Sequence, residues 1–139
     1  MQKRILVVDD DAELVELIGF NLKQAGYSVR KASNGVDALK KARSLKPNLI
    51  VLDVMMPELD GFAACEILRR DAATASIPVL MLTALSSELG RVAGLGSGAS
   101  EFVTKPFSPR ELVQRIADLL QKASKIPQIA ASQHSVTRP

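Results

Sequence analysis

Short apolar runs alternating with helix-patterned stretches constrain this chain more than any other feature. Ile5–Val8, Leu49–Leu52 and Val79–Leu82 are each apolar throughout, and Phe102-Val103 is a weaker version of the same signal. Tyr27–Val29 is shorter and half polar. Turn-forming residues bound each run. Segments this short and this apolar read as strands covered on both faces, the condition found in parallel sheets. Between them, Leu14, Val15, Ile18 and Leu22 recur at helical spacing, as do Val36, Leu39 and Ala42. Phe62, Ile67 and Leu68 mark a third helix, and Leu112, Ile116, Leu119, Leu120 and Ala123 mark the last.

Start signals agree with that division. Asp11, Asn34 and Asp60 stand where N-caps are needed. Ser108-Pro109-Arg110-Glu111 has the form of a capping box with proline at the first helical position. Gly61 reads as easing the start of the third helix. Four of the eight glycines, Gly90, Gly94, Gly96 and Gly98, crowd one stretch. Interior glycines cost a helix about 1 kcal/mol each relative to alanine, so a short, soft helix is expected over 87–96. Strand followed by helix, five times over, is an α/β fold made by right-handed crossovers with helices on both faces. With 139 residues there is length for one such domain, over 1–123. Ser124–Pro139 loses the apolar repeat and reads as a flexible tail or the start of a linker.

Composition removes several function classes. The net charge of +3 is too small for a nucleic-acid surface, and no recognition-helix module is left over within the chain. Aromatic residues are 4 % with no tryptophan, which excludes a base-stacking platform. A lone cysteine, Cys65, supports neither a disulfide framework nor a thiolate zinc site, and fits a cytoplasmic setting. No apolar run approaches the roughly 20 residues that span a bilayer. The Met1–Arg4 start leads into too short an apolar run for a signal peptide. Lys40, Lys41, Arg43 and Lys46 read as a solvated helix face, with a basic docking patch as the alternative.

In an open parallel sheet, sites form at the carboxyl ends of the strands. Reading those ends together collects Asp9, Asp10 and Asp11 after the first strand, and Asp53 after the third. Thr83 and Ala84 follow the fourth strand, and Lys105-Pro106 the fifth. Carboxylates gathered at one edge need a cation. With no competing thiol or imidazole, a hard ion fits: Mg²⁺, with Mn²⁺ as second choice. A carboxylate, a divalent ion, an ammonium and a hydroxyl converging on one point make a phosphoryl site, and a carboxylate can itself accept the group.

The pieces Ile5–Asp11, Leu52–Pro57, Asp60-Gly61, Leu82-Thr83-Ala84, Gly98-Ala99 and Thr104–Phe107, in that order, resemble the receiver domain of two-component response regulators. The resemblance runs from residue 4 to about 123. It implies a (βα)₅ flavodoxin-like three-layer sandwich with strand order 2-1-3-4-5. It implies a phosphorylation-activated signalling switch rather than an enzyme. Asp53 would be the phosphoacceptor, supplied by a histidine kinase, a phosphotransfer protein or a small phosphodonor. Asp10, Asp53 and the Met55 backbone carbonyl would hold Mg²⁺, with Asp9 acting through a water. Lys105 would pair with the phosphoryl group across a cis bond to Pro106. Thr83, with Ala84 beside it, would turn toward a phosphoryl oxygen, and Phe102 would turn inward behind it. That change would alter the face made by the fourth helix, the fifth strand and the last helix. Arg91, Glu101, Glu111, Arg115 and Lys122 fall where such a face forms charge pairs in a phosphorylation-enhanced homodimer, and Ser97 replaces an expected acid. Apolar Met55 and Leu85 leave nothing to orient an attacking water, so self-dephosphorylation is expected to take minutes or longer. The enzyme alternative is a haloacid-dehalogenase-like phosphohydrolase, which Asp9-Asp10-Asp11 fits formally, but no acidic pair follows Lys105. A receiver-like module that never uses phosphate is the binding alternative.

Overall fold

A computed structural model describes residues 2–84, 92 and 96–136, with side chains as far as Ala123. Five strands, β1 (Arg4–Val8), β2 (Ser28–Ala32), β3 (Leu49–Asp53), β4 (Val79–Thr83) and β5 (Glu101–Thr104), alternate with helices α1 (Ala12–Gln24), α2 (Gly35–Leu45), α3 (Gly61–Arg70) and α4 (Pro109–Val136). All neighbouring strands are parallel, in the order β2-β1-β3-β4-β5. This is the doubly wound sheet the strand and helix pattern predicts. Val92 and Gly96 are helical; the rest of the glycine-rich helix expected over 87–96 lies outside the described residues, as do Arg91 and Leu85.

Alternation along the strands builds two cores. Ile5, Val7, Leu49, Val51, Leu80, Leu82 and Val103 pack with α1 and α4 through Ile18, Leu22, Leu112 and Ile116. Leu6, Val8, Ile50, Leu52, Val79, Met81 and Phe102 face the other way, onto Ala38 and Ala42 of α2 and Ala64, Cys65 and Leu68 of α3. The central strands are buried along their whole length, which is why they stand out as unbroken apolar runs. β2 is an edge strand and leaves Arg30 exposed. Its apolar signal is diluted for that reason, and the strand starts one residue later and ends three residues later than the apolar run. Lys31 pairs with Glu16 of α1, and Lys41 with Asp37 one turn earlier on α2. Arg43 reaches Asp71 beyond α3. The basic α2 is thus a face of solvated, locally paired charges.

The caps lie where the sequence places them. Asp11 accepts from the amides of Glu13 and Leu14, Asn34 from Asp37, Asp60 from Ala63 and Ser108 from Glu111. Arg69 ties three segments together, donating to Gly98 O at 2.9 Å, Ile77 O at 2.7 Å and Ala75 O at 3.3 Å. α4 keeps helical geometry to Val136, across the residues expected to be a tail or linker. Lys125, Gln128, Ala130, Ala131 and Gln133 favour a helix there while Pro127 opposes it, so local propensity does not account for the extension.

Candidate functional site

The acidic run begins where β1 leaves the sheet. The Asp9 amide donates to Ala32 O at 3.3 Å, extending the ladder by one residue and fixing where its side chain emerges. Its carboxylate is 2 % exposed and accepts the Asp11 amide at 3.0 Å, while Asp11 caps α1. Asp10, between them, is exposed. Asp53 ends β3, 3 % exposed, and opposes Leu82 of β4. One oxygen from each of Asp9, Asp10 and Asp53 lies within 4.8 Å of the others. A carboxylate triad with one exposed member is a donor set for a hard divalent cation that keeps part of its water shell.

Lys105 comes from the far side. Its amide donates to Thr83 O at 2.7 Å, and the bond to Pro106 is cis. Its ammonium sits 3.0 Å from Asp53 Oδ1 and 3.2 Å from Asp9 Oδ2. Burial pushes the Asp53 carboxyl above the ordinary range; the Lys105 hydrogen bond pulls it back, and the Asp9 and Asp10 charges push it up again. Burial alone would lower Lys105, but hydrogen bonds and charge from Asp53 and Asp9 outweigh it and hold the ammonium above its usual range. Asp53 thus faces two anions and one cation, and Lys105 faces two anions. The cluster is short of positive charge.

Thr83 ends β4, buried, in register with Thr104, and Ala84 beyond it is exposed. Phe102 is 7 % exposed and belongs to the core cluster that α2 and α3 cover. Met55 carries its side chain to solvent, 66 % exposed, whereas Met56 fills core. On the fifth-strand face, Arg115 pairs with Glu101 at 2.8 Å and Glu111 at 3.6 Å within the same chain, and Lys122 is exposed nearby. Ser97 is buried.

The structure assigns Gly61 a role that the sequence reading did not give it. Its amide donates to Val54 O at 2.9 Å, and a Cβ there would lie 2.3 Å from Asp53 O. What demands glycine is close backbone approach, not ease of helix initiation.

A family model described as the response regulator receiver domain matches residues 5–117. The chain belongs to that family. As a receiver domain it is 46 % identical over 132 residues to the DNA-binding dual master transcriptional regulator RpaA of Synechocystis, covering 95 % of this chain and 54 % of that protein. It is 50 % identical over 123 residues to the alkaline phosphatase synthesis transcriptional regulatory protein PhoP of Bacillus subtilis, covering 88 % and 50 %. The chain therefore spans about half the length of the curated relatives it matches. Among solved structures, the receiver domain of Francisella response regulator 1452 superposes with a TM-score of 0.82 at 35 % identity, covering 87 % of this chain and 98 % of that one. The chemotaxis response regulator CheY4 of Vibrio cholerae superposes at 0.80 with 31 % identity, covering 86 % and 99 %. Among the described residues, no helix is long and apolar enough to cross a membrane.

Proposed function

We propose that this receiver domain is a phosphorylation-activated switch whose phosphoacceptor is Asp53. The observation that carries the reading is the single ammonium of Lys105 held between two buried carboxylates, Asp53 and Asp9, beside the exposed Asp10. An Asp53 oxygen attacks phosphorus on a phosphohistidine of a kinase or phosphotransfer protein, or on a small phosphodonor. The bond from phosphorus to the donor breaks as the new P–O bond forms, and the donor leaves with its electron pair. Asp10, Asp53 and the Met55 carbonyl would hold Mg²⁺, or Mn²⁺ in its place, with Asp9 acting through a water, and the ion would supply charge neutralisation for the incoming phosphoryl oxygens. Lys105 moves its charge from the carboxylates to the new phosphoryl group, and Thr83 donates its hydroxyl to the same group. The domain performs no turnover of an external substrate.

The added charge is read on the face that carries Phe102, Glu101 and Arg115. Relatives named as transcriptional regulators are about twice the matched length, so the output is regulation of an effector domain or a partner protein rather than contact with nucleic acid by this domain. Forming a homodimer on this face requires Arg115 to exchange its partners in its own chain for those of a second copy, so association is weak before phosphorylation and rises after it.

The test is intact-mass spectrometry after incubation with a small phosphodonor, with and without Mg²⁺, on the wild type and on Asp53→Asn. One phosphoryl adduct that needs both Mg²⁺ and Asp53 is the expected result. An adduct that survives Asp53→Asn, or none on folded wild type, overturns the assignment. Decay of the adduct over minutes or longer is expected, since the Met55 side chain offers no group to orient water; loss within seconds refutes that part.

A further inference from the structure

Gly61 opens α3, and its surroundings are backbone rather than side chain. A Cβ built there would lie 2.3 Å from Asp53 O, 2.9 Å from Val54 Cα and 3.0 Å from Asp53 C. None of these atoms can swing aside as a flexible side chain would. The Asp53–Val54 peptide is itself tied down through its amide, which donates to Leu82 O at 3.0 Å, and the next carbonyl, Val54 O, accepts from Gly61 at 2.9 Å. The first turn of α3 is locked too, since Asp60 caps it through the Ala63 amide. The helix start and the end of β3 are thus two anchored pieces in direct contact, and only hydrogen separates them at Gly61.

We propose that Gly61 is a positioning residue for the cation site: by letting α3 seat directly on the Asp53–Val54 peptide, it sets where the Asp53 carboxylate and the following loop stand relative to Asp9 and Asp10. The inference rests on the reading of Asp9, Asp10 and Asp53 as the metal-holding set. Any side chain at 61 pushes either the helix or the peptide away. Asp53 carries the acceptor carboxylate on that peptide, so the displacement passes directly to the donor set. Mg²⁺ demands near-octahedral geometry, and a misplacement of about 1 Å in such a constellation is costly. Gly98 is the natural comparison. It has φ +97° and a Cβ there would meet Arg69 Cγ at 2.7 Å, so its substitution also strains the fold. It lies just before β5, at the end of the sheet opposite the carboxylates.

Mg²⁺ titration calorimetry on wild type, Gly61→Ala and Gly98→Ala, at a temperature where circular dichroism shows all three folded, tests the proposal. Both variants lose thermal stability. Gly61→Ala is expected to weaken Mg²⁺ binding by about tenfold or more, and Gly98→Ala to keep it within about twofold. Gly61→Ala binding like wild type overturns the proposal, as does an equal loss in Gly98→Ala, which would trace the effect to general destabilisation. Should Gly61→Ala not fold, amide spectra of the wild type decide. The Gly61 resonance should shift with Mg²⁺ at the midpoint shown by Asp10, while Gly98 stays still; a stationary Gly61 amide refutes the proposal. Wild type that binds no Mg²⁺ and takes no phosphoryl group would instead defeat the functional reading beneath it, a result distinct from Gly61→Ala binding normally beside an active wild type.

Discussion

Lys105 and Asp53 show how far single charges are set against the fold. Asp53 is held above its ordinary carboxyl range mainly by burial, so its neutral form is favoured more in the folded chain than in the unfolded one. As pH rises past 3.8, the ordinary value for an unfolded aspartate, the unfolded carboxyl ionises first, and the fold loses stability until the native group has ionised too. In metal-free buffer at neutral pH, Asp53→Asn is therefore expected to raise stability by about 1 kcal/mol, read as a higher urea midpoint. Mg²⁺ should narrow that gap by stabilising only the wild type. Lys105 has the opposite sign. Its folded value is raised, so its contribution is complete below the unfolded 10.5 and fades as pH climbs through the folded value. The urea midpoint, corrected for other groups by a Lys105→Met reference, should begin to fall only above 10.5. The gathering of Asp9, Asp10, Asp53 and Lys105 is legible in the sequence because strand ends are legible. Gly61 and Arg69 are not. Nothing local distinguishes a glycine pressed on a peptide from one that merely begins a helix, and Arg69 acts on carbonyls up to 29 residues away.

Elements are recovered in proportion to how fully they are buried. β1, β3 and β4 read clearly because both faces are covered, whereas β2 and β5 sit at the edges and mix polar residues into the run. The stretch after Ala123 carries no repeating face and contains Pro127, yet α4 extends through it. Helix starts are the other legible feature, since a cap is a local hydrogen bond. Asp11→Ala removes the acceptor for two α1 amides and should cost about 1 kcal/mol, while Asp11→Asn should cost far less. Arg69→Gln frees carbonyls of Gly98 and Ile77, whose loops precede β5 and β4. Faster amide exchange in both loops together, with β1 and β3 unchanged, is the expected signature.

At the scale of the molecule, the sheet is a plate with an independent core on each side. Ile116→Ala and Leu68→Ala lie on opposite sides. Each should cost roughly 2–5 kcal/mol, and the pair should be close to additive. A strong departure from additivity in denaturant midpoints would show the plate to be softer than its packing implies. On phosphorylation, sedimentation at high concentration is expected to shift toward the dimer; identical profiles for both forms would exclude an association role for the Glu101–Arg115 face. The order in which charges occur along the chain has a consequence for biosynthesis. All three clustered carboxylates lie at or before residue 53, and the ammonium that separates them arrives 52 residues later. Any structure formed on the ribosome before Lys105 emerges holds those carboxylates without their fixed counter-charge, and in that interval dissolved cations are the available substitute.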